Sequence, residues 1–110
     1  MKQTFNKLVR DKIPNIIKQN GETPTIEILN NIEYKKELEK KLYEEYNEVI
    51  NSNGIDRLEE LADMLEVIRA LAKLENKDLN DIILIANEKK EKRGAFEEKI
   101  FLKETIKSQQ

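Results

Sequence analysis

The chain has 110 residues, 38 % apolar and 38 % charged, with a net charge of −2 and neither cysteine nor histidine. Those two absences exclude disulfides, thiolate and Ser-His nucleophiles, and the usual nitrogen and sulfur ligands of zinc. Any general base is therefore Asp, Glu, Lys or Tyr, and any metal site is built from oxygen. No apolar run approaches the ~20 residues of a membrane span and no signal peptide is visible, so a cytoplasmic chain without a membrane partner is expected. No global positive field points to nucleic acid. With no Trp, three Phe and three Tyr, one protomer has few large core anchors, which favours self-association.

In chain order, "NKLVRDKIPNIIKQNGETP" is basic and then helical, with a stop at Asn20-Gly21 and Pro24 barring continuation. Residues 25–29, "TIEIL", alternate and suit a short extended stretch. Asn30 caps a long helix with Glu33 at its third position, and the helix runs to about Asn51, where "NSNG" makes a turn. The next helix takes Asp56 as cap, with Glu59 three residues on, and ends near Glu75-Asn76. Asp78 caps a fourth helix that stops at Gly94. The tail holds an extended segment around Ile100 to Leu102 and frays at Gln109 and Gln110. The expected fold is a single all-α domain over residues 1–110, a hairpin or bundle of about four helices. Short extended segments are expected near 25–29 and 100–102.

Acids interrupt the apolar pattern of the two central helices. Leu58, Leu61, Leu65, Ile68 and Ala72 form one stripe, and Val67, Ala70 and Leu74 form another that reaches back through Glu60 and Asp63. In the preceding helix the seam Leu38, Leu42, Val49 passes through Glu45, with Glu48 one turn on. Glu48 lies six residues before Gly54 and Glu60 six after it; Glu45 and Asp63 lie nine before and nine after. An antiparallel hairpin turning there sets Glu48 opposite Glu60 and Glu45 opposite Asp63. Four carboxylates so gathered repel; protonation can relieve them, but a hard divalent cation, Mg²⁺ or Mn²⁺, is the more economical neutraliser. A single acid on such a helix is more often a solvated residue paired with Lys40, Lys41 or Arg57; the mirrored pairs are what favour a site. Glu44, next to the seam, is a candidate fifth ligand or base, and Glu44, Glu45 and Glu48 are the candidate catalytic acids.

Two groups of cations complement the acids. Lys89 and Arg93 continue the Ile82–Ala86 seam of the fourth helix, where they suit either the helix dipole or a phosphate clamp. Near the N-terminus Lys7, Arg10 and Lys12 lie within six residues, and Arg10 and Lys12 are candidates to pair with the acids or with phosphate. Acids that call for Mg²⁺, with cations nearby, are what cleavage of a phosphoanhydride requires.

"EEYNE" (residues 44–48) and "EELAD" (residues 59–63) resemble the paired acidic motifs of the all-α nucleoside triphosphate pyrophosphohydrolases, among them MazG, dimeric dUTPases and phosphoribosyl-ATP pyrophosphohydrolase. "NKLVRDKIP" (6–14), "KKEKRGAF" (89–96) and the "FL" of Phe101-Leu102 are similar to motifs of the small MazG-like subgroup, so the resemblance spans residues 5 to about 102. It implies Mg²⁺-dependent attack of water on the α-phosphate of a nucleoside triphosphate, or a related nucleotide such as phosphoribosyl-ATP, releasing the monophosphate and pyrophosphate in a house-cleaning role. Glu45, Glu48, Glu60 and Asp63 would bind the metal and Lys89 and Arg93 the phosphates, in a homodimer or homotetramer. With eleven residues between Glu48 and Glu60, the chain resembles a minimal member. The competing reading is a non-catalytic helical interaction module whose acids form salt bridges across an oligomer interface.

Overall fold

The computed structural model describes residues 1–109; Gln110, expected to fray with Gln109, lies outside the described residues. The fold is all-α, with helices α1 (Ile13–Gln19), α2 (Asn31–Ile50), α3 (Gly54–Leu74) and α4 (Leu79–Arg93). Residues 25–29 and 100–102 carry neither helix nor strand. Two compact units divide the chain, Met1–Leu79 and Asn80–Gln110.

The helix ends follow from local chemistry. Pro14 sits in the first turn of α1, where a missing N–H costs nothing. At its other end Gly21 takes φ +86°, and the N–H groups of Gly21 and Glu22 return to the carbonyls of Lys18 and Ile17. Asn30 caps α2: its side-chain oxygen accepts from the Glu33 N–H at 2.9 Å, and its amide donates to the Glu33 carboxylate at 3.2 Å. The last α2 carbonyls are satisfied by the Asn51 amide on Asn47 (2.8 Å) and the Ser52 hydroxyl on Val49 (3.1 Å).

Helix α3 begins earlier than a cap at Asp56 requires. Asn53 is its N-cap, and Asp56 lies in its first turn. The Arg57 N–H donates to the Asn53 carbonyl at 3.4 Å and Arg57 Nε to the Ser52 carbonyl at 2.9 Å, so the helix winds from Asn53. The turn then closes in three residues, 51–53, with Gly54 at φ +59°. Asp56 still favours the helix, as an acid near the positive end of its dipole. At the far end Asn76 adopts φ +59°, and the N–H groups of Asn76 and Lys77 close back on Lys73 and Ala72.

Within the first unit α2 and α3 pack against each other as an antiparallel hairpin. Its buried residues are Leu38, Val67 and Ala72, together with Glu45. A two-helix hairpin covers one face of each helix, and over residues 58–67 of α3 the covered face is not the leucine-rich one; Ala72, the last member of the leucine stripe, is buried. Val67 is buried, whereas Leu58, Leu61 and Leu65 are 65, 42 and 41 % exposed. The stripe that carries Glu60 and Asp63 is the one turned to α2.

Candidate functional site

Periodicity brings the acids together. Glu45 holds a seam position between Leu42 and Val49, and at 6 % exposure it is the one buried charged residue among the described residues. Glu60 and Asp63, three residues apart, share the face of α3 that packs on α2, and both are half-buried. One carboxylate oxygen from each of Glu45, Glu60 and Asp63 lies within 4.8 Å of the other two. Facing Glu45 and Asp63 across the hairpin is what the mirrored spacing predicts.

Each acid is balanced differently. Lys41 Nζ stands 3.5 Å from Glu45 Oε1, one turn back on the same helix. Arg10 Nη2 donates to Asp63 Oδ1 at 2.7 Å from a segment 53 residues away in sequence. Glu60 has no cation beside it among the described residues. Its pKa is raised, first by burial and then by the negative charges of Glu48, Asp63, Glu45 and Glu59.

The remaining candidates stand as follows. Glu48 is exposed; its charge reaches Glu60, but it is outside the group gathered within 4.8 Å. Glu44 is shared by two lysines, Lys41 at 3.3 Å and Lys7 at 3.6 Å. Lys12 is exposed and precedes α1 as its N-cap residue. Lys89 and Arg93 lie exposed on the last turns of α4, and Arg93 borders a hollow formed by residues 93–100. Pairing of Lys41 with the acids is the ordinary helical neighbour contact, legible from spacing. The contacts of Lys7 and Arg10 cross to helices far along the chain, and no local spacing signals them.

The donor set fits a hard cation. Three carboxylates in a chain without histidine or cysteine are a donor set that suits Mg²⁺, Mn²⁺ or Ca²⁺ better than zinc. The negative charges that add to burial in raising Glu60 are the charge such an ion would offset.

Comparison of the chain with protein-family models, with curated proteins and with solved structures gives no match. The acid triad and its surroundings therefore carry the functional reading without help from relatives. No helix of the described residues is long and apolar enough to cross a membrane.

Proposed function

We propose that the chain is a divalent-cation-dependent nucleotide pyrophosphohydrolase of the MazG-like kind. The observation that carries this reading is the placing of Glu45 inside the hairpin seam, where it meets Glu60 and Asp63. A leucine there would pack at lower cost, because a buried carboxylate needs compensation that an apolar side chain does not.

Glu45, Glu60 and Asp63 would hold the cation, with Glu48 beside them adding negative charge. When bound, Mg²⁺ or Mn²⁺ supplies charge neutralisation and Lewis acidity at the phosphate. Glu44, half-exposed at the rim, is suited to accept a proton from the attacking water. The water oxygen forms a bond to the α-phosphorus, the bond from that phosphorus to the bridging oxygen breaks, and the electron pair leaves with pyrophosphate. Lys89 and Arg93 are assigned to phosphate oxygens by their charge and shared helical face, and Arg10 and Lys12 are secondary phosphate ligands. The exposed stripe Leu58, Leu61, Leu65 suits a second copy of the chain, which agrees with a homodimer or homotetramer.

The test is a panel of nucleoside triphosphates and phosphoribosyl-ATP with Mg²⁺, scored for pyrophosphate against orthophosphate, using wild type, Glu45→Gln and Asp63→Asn. Pyrophosphate release by the wild type that both variants lose supports the assignment. Equal turnover in all three proteins, or none in any, removes it. A second reading is favoured by the pairing of Lys41 with Glu45 and Arg10 with Asp63: a helical interaction module whose acids are structural. That reading expects no turnover, no response to metal, and large destabilisation when either acid is neutralised.

A further inference from the structure

The acid cluster already has a cation drawn to it from a distant part of the chain. Residues 7–10 precede α1, yet Lys7 reaches Glu44 on α2 and Arg10 reaches Asp63 on α3. These two contacts tie one short stretch to both helices of the hairpin. The Arg10 backbone carbonyl also accepts from the Ile13 N–H at 3.0 Å, so the stretch is anchored to the first turn of α1. Arg10 occupies Asp63 Oδ1, and Asp63 is one of the three acids that converge. An oxygen that accepts a guanidinium N–H at hydrogen-bond distance has less of its charge left for a second cation.

We propose that the N-terminal stretch Lys7–Arg10 is a built-in counter-ion that competes with the divalent cation for the acid cluster, so that metal binding releases it from Asp63. This rests on the cation-binding reading of Glu45, Glu60 and Asp63. Both ion pairs are substantially exposed, with side-chain exposures of 55 and 45 % for Arg10 and Asp63. Exposed pairs hold weakly and are screened by salt, which suits a closure that a doubly charged ion can open. Apparent metal affinity is the intrinsic affinity multiplied by the fraction of molecules with the stretch released.

The experiment is a Mn²⁺ titration followed by electron paramagnetic resonance, on wild type, Arg10→Gln and Lys12→Gln. Lys12 carries the same charge on the same segment without contacting the triad, so it reports long-range charge alone. Arg10→Gln is expected to bind Mn²⁺ about two- to fivefold tighter than wild type, the range an exposed ion pair supports, and Lys12→Gln to match wild type. Weaker or unchanged binding in Arg10→Gln overturns the proposal, as does equal tightening in Lys12→Gln; in both cases the metal site itself stands. Absence of Mn²⁺ binding in all three proteins overturns both the competition and the metal site. Hydrogen exchange of wild type gives a readout free of any folding defect in the variants. Mn²⁺ should speed exchange of the amides of residues 8–13, and slowing there, or no change, overturns the release.

Discussion

Lys41 Nζ lies 3.5 Å from Glu45 Oε1, one helical turn apart on α2, and the glutamate is buried while the lysine stays partly exposed. The pair explains how a carboxylate survives in the hairpin interface, but not why one is there. An apolar side chain would serve packing between Leu42 and Val49 equally well. Glu45→Leu is therefore expected to keep or raise thermal stability in EDTA, by about 1 kcal/mol, as buried ion pairs replaced by apolar groups commonly do. It should also abolish the rise in Tm that millimolar Mg²⁺ gives the wild type; at tenfold excess over Kd that rise corresponds to about 1.4 kcal/mol. Thermal melts of both proteins with and without Mg²⁺ check this. A wild type indifferent to Mg²⁺ would count against the metal site, and strong destabilisation of Glu45→Leu would favour a structural role for the acid.

The raised pKa of Glu60 sets a pH dependence whose sign is definite. A carboxyl that binds its proton more tightly in the folded than in the unfolded state stabilises the fold at low pH. That contribution is lost as pH rises from the ordinary glutamate value of 4.5 through the raised folded value. Metal-free Glu60→Gln should therefore lack this fall, and at neutral pH it should melt above the wild type. Melts across pH 4 to 8 in EDTA test it. Identical pH profiles for the two proteins would show that the surrounding acids do not load Glu60.

The leucine face of α3 gives a prediction about assembly. Leu61 and Leu65, 42 and 41 % exposed, belong to an open groove with Leu58, Ala62, Met64 and Ile68. If a second copy covers it, Leu61→Glu and Leu65→Lys each place a charge in an apolar contact and should shift the protein toward monomer. Sedimentation equilibrium reads the change. Wild type that is monomeric at high concentration would remove the self-association reading.

Arg93 ends the last turn of α4, where a cation also favours the helix dipole. A dipole role predicts that Arg93→Lys and Arg93→Ala change stability slightly and turnover not at all. A phosphate-binding role predicts loss of kcat/KM in both. Arg93→Ala should lose more, on the order of 2–3 kcal/mol, and Arg93→Lys less, since it keeps the charge without the planar fork. Metal-dependent stabilisation should persist in both. Steady-state kinetics on the best substrate of the panel separates the two roles.

Much of this arrangement was legible along the chain, because caps and helical phase are local properties. Asn30 with Glu33, Gly21 and Asn76 mark helix ends through contacts within five residues. The 4,3,4 spacing places Glu45 on the seam, and reflection about Gly54 places Asp63 opposite it. Where spacing was less informative, the cause is physical. Asn53 and Asp56 are both cap-type residues; Asn53 takes the N-cap position with extended backbone and no side-chain cap hydrogen bond, and Asp56 falls in the first turn. Glu48 shares the helical phase of the site but sits one turn nearer the hairpin's end, where its side chain stays exposed and acts on Glu60 through charge alone.

Hydrophobicity and spacing point to different faces of α3. Hydrophobicity favours the leucine stripe, whereas mirrored spacing about Gly54 turns Glu60 and Asp63 towards α2, and it is this second stripe, with Val67, that α2 covers. A helix's own sequence ranks its faces, but the partner's shape and the turn's geometry select the one that is buried. The pairing of Arg10 with Asp63 spans 53 residues; the sequence offered Arg10 as a partner for the acids or for phosphate but could not say which acid it meets. Helical spacing reports neighbours three and four residues apart; a contact between segments this distant exists only once the folded chain brings them into reach.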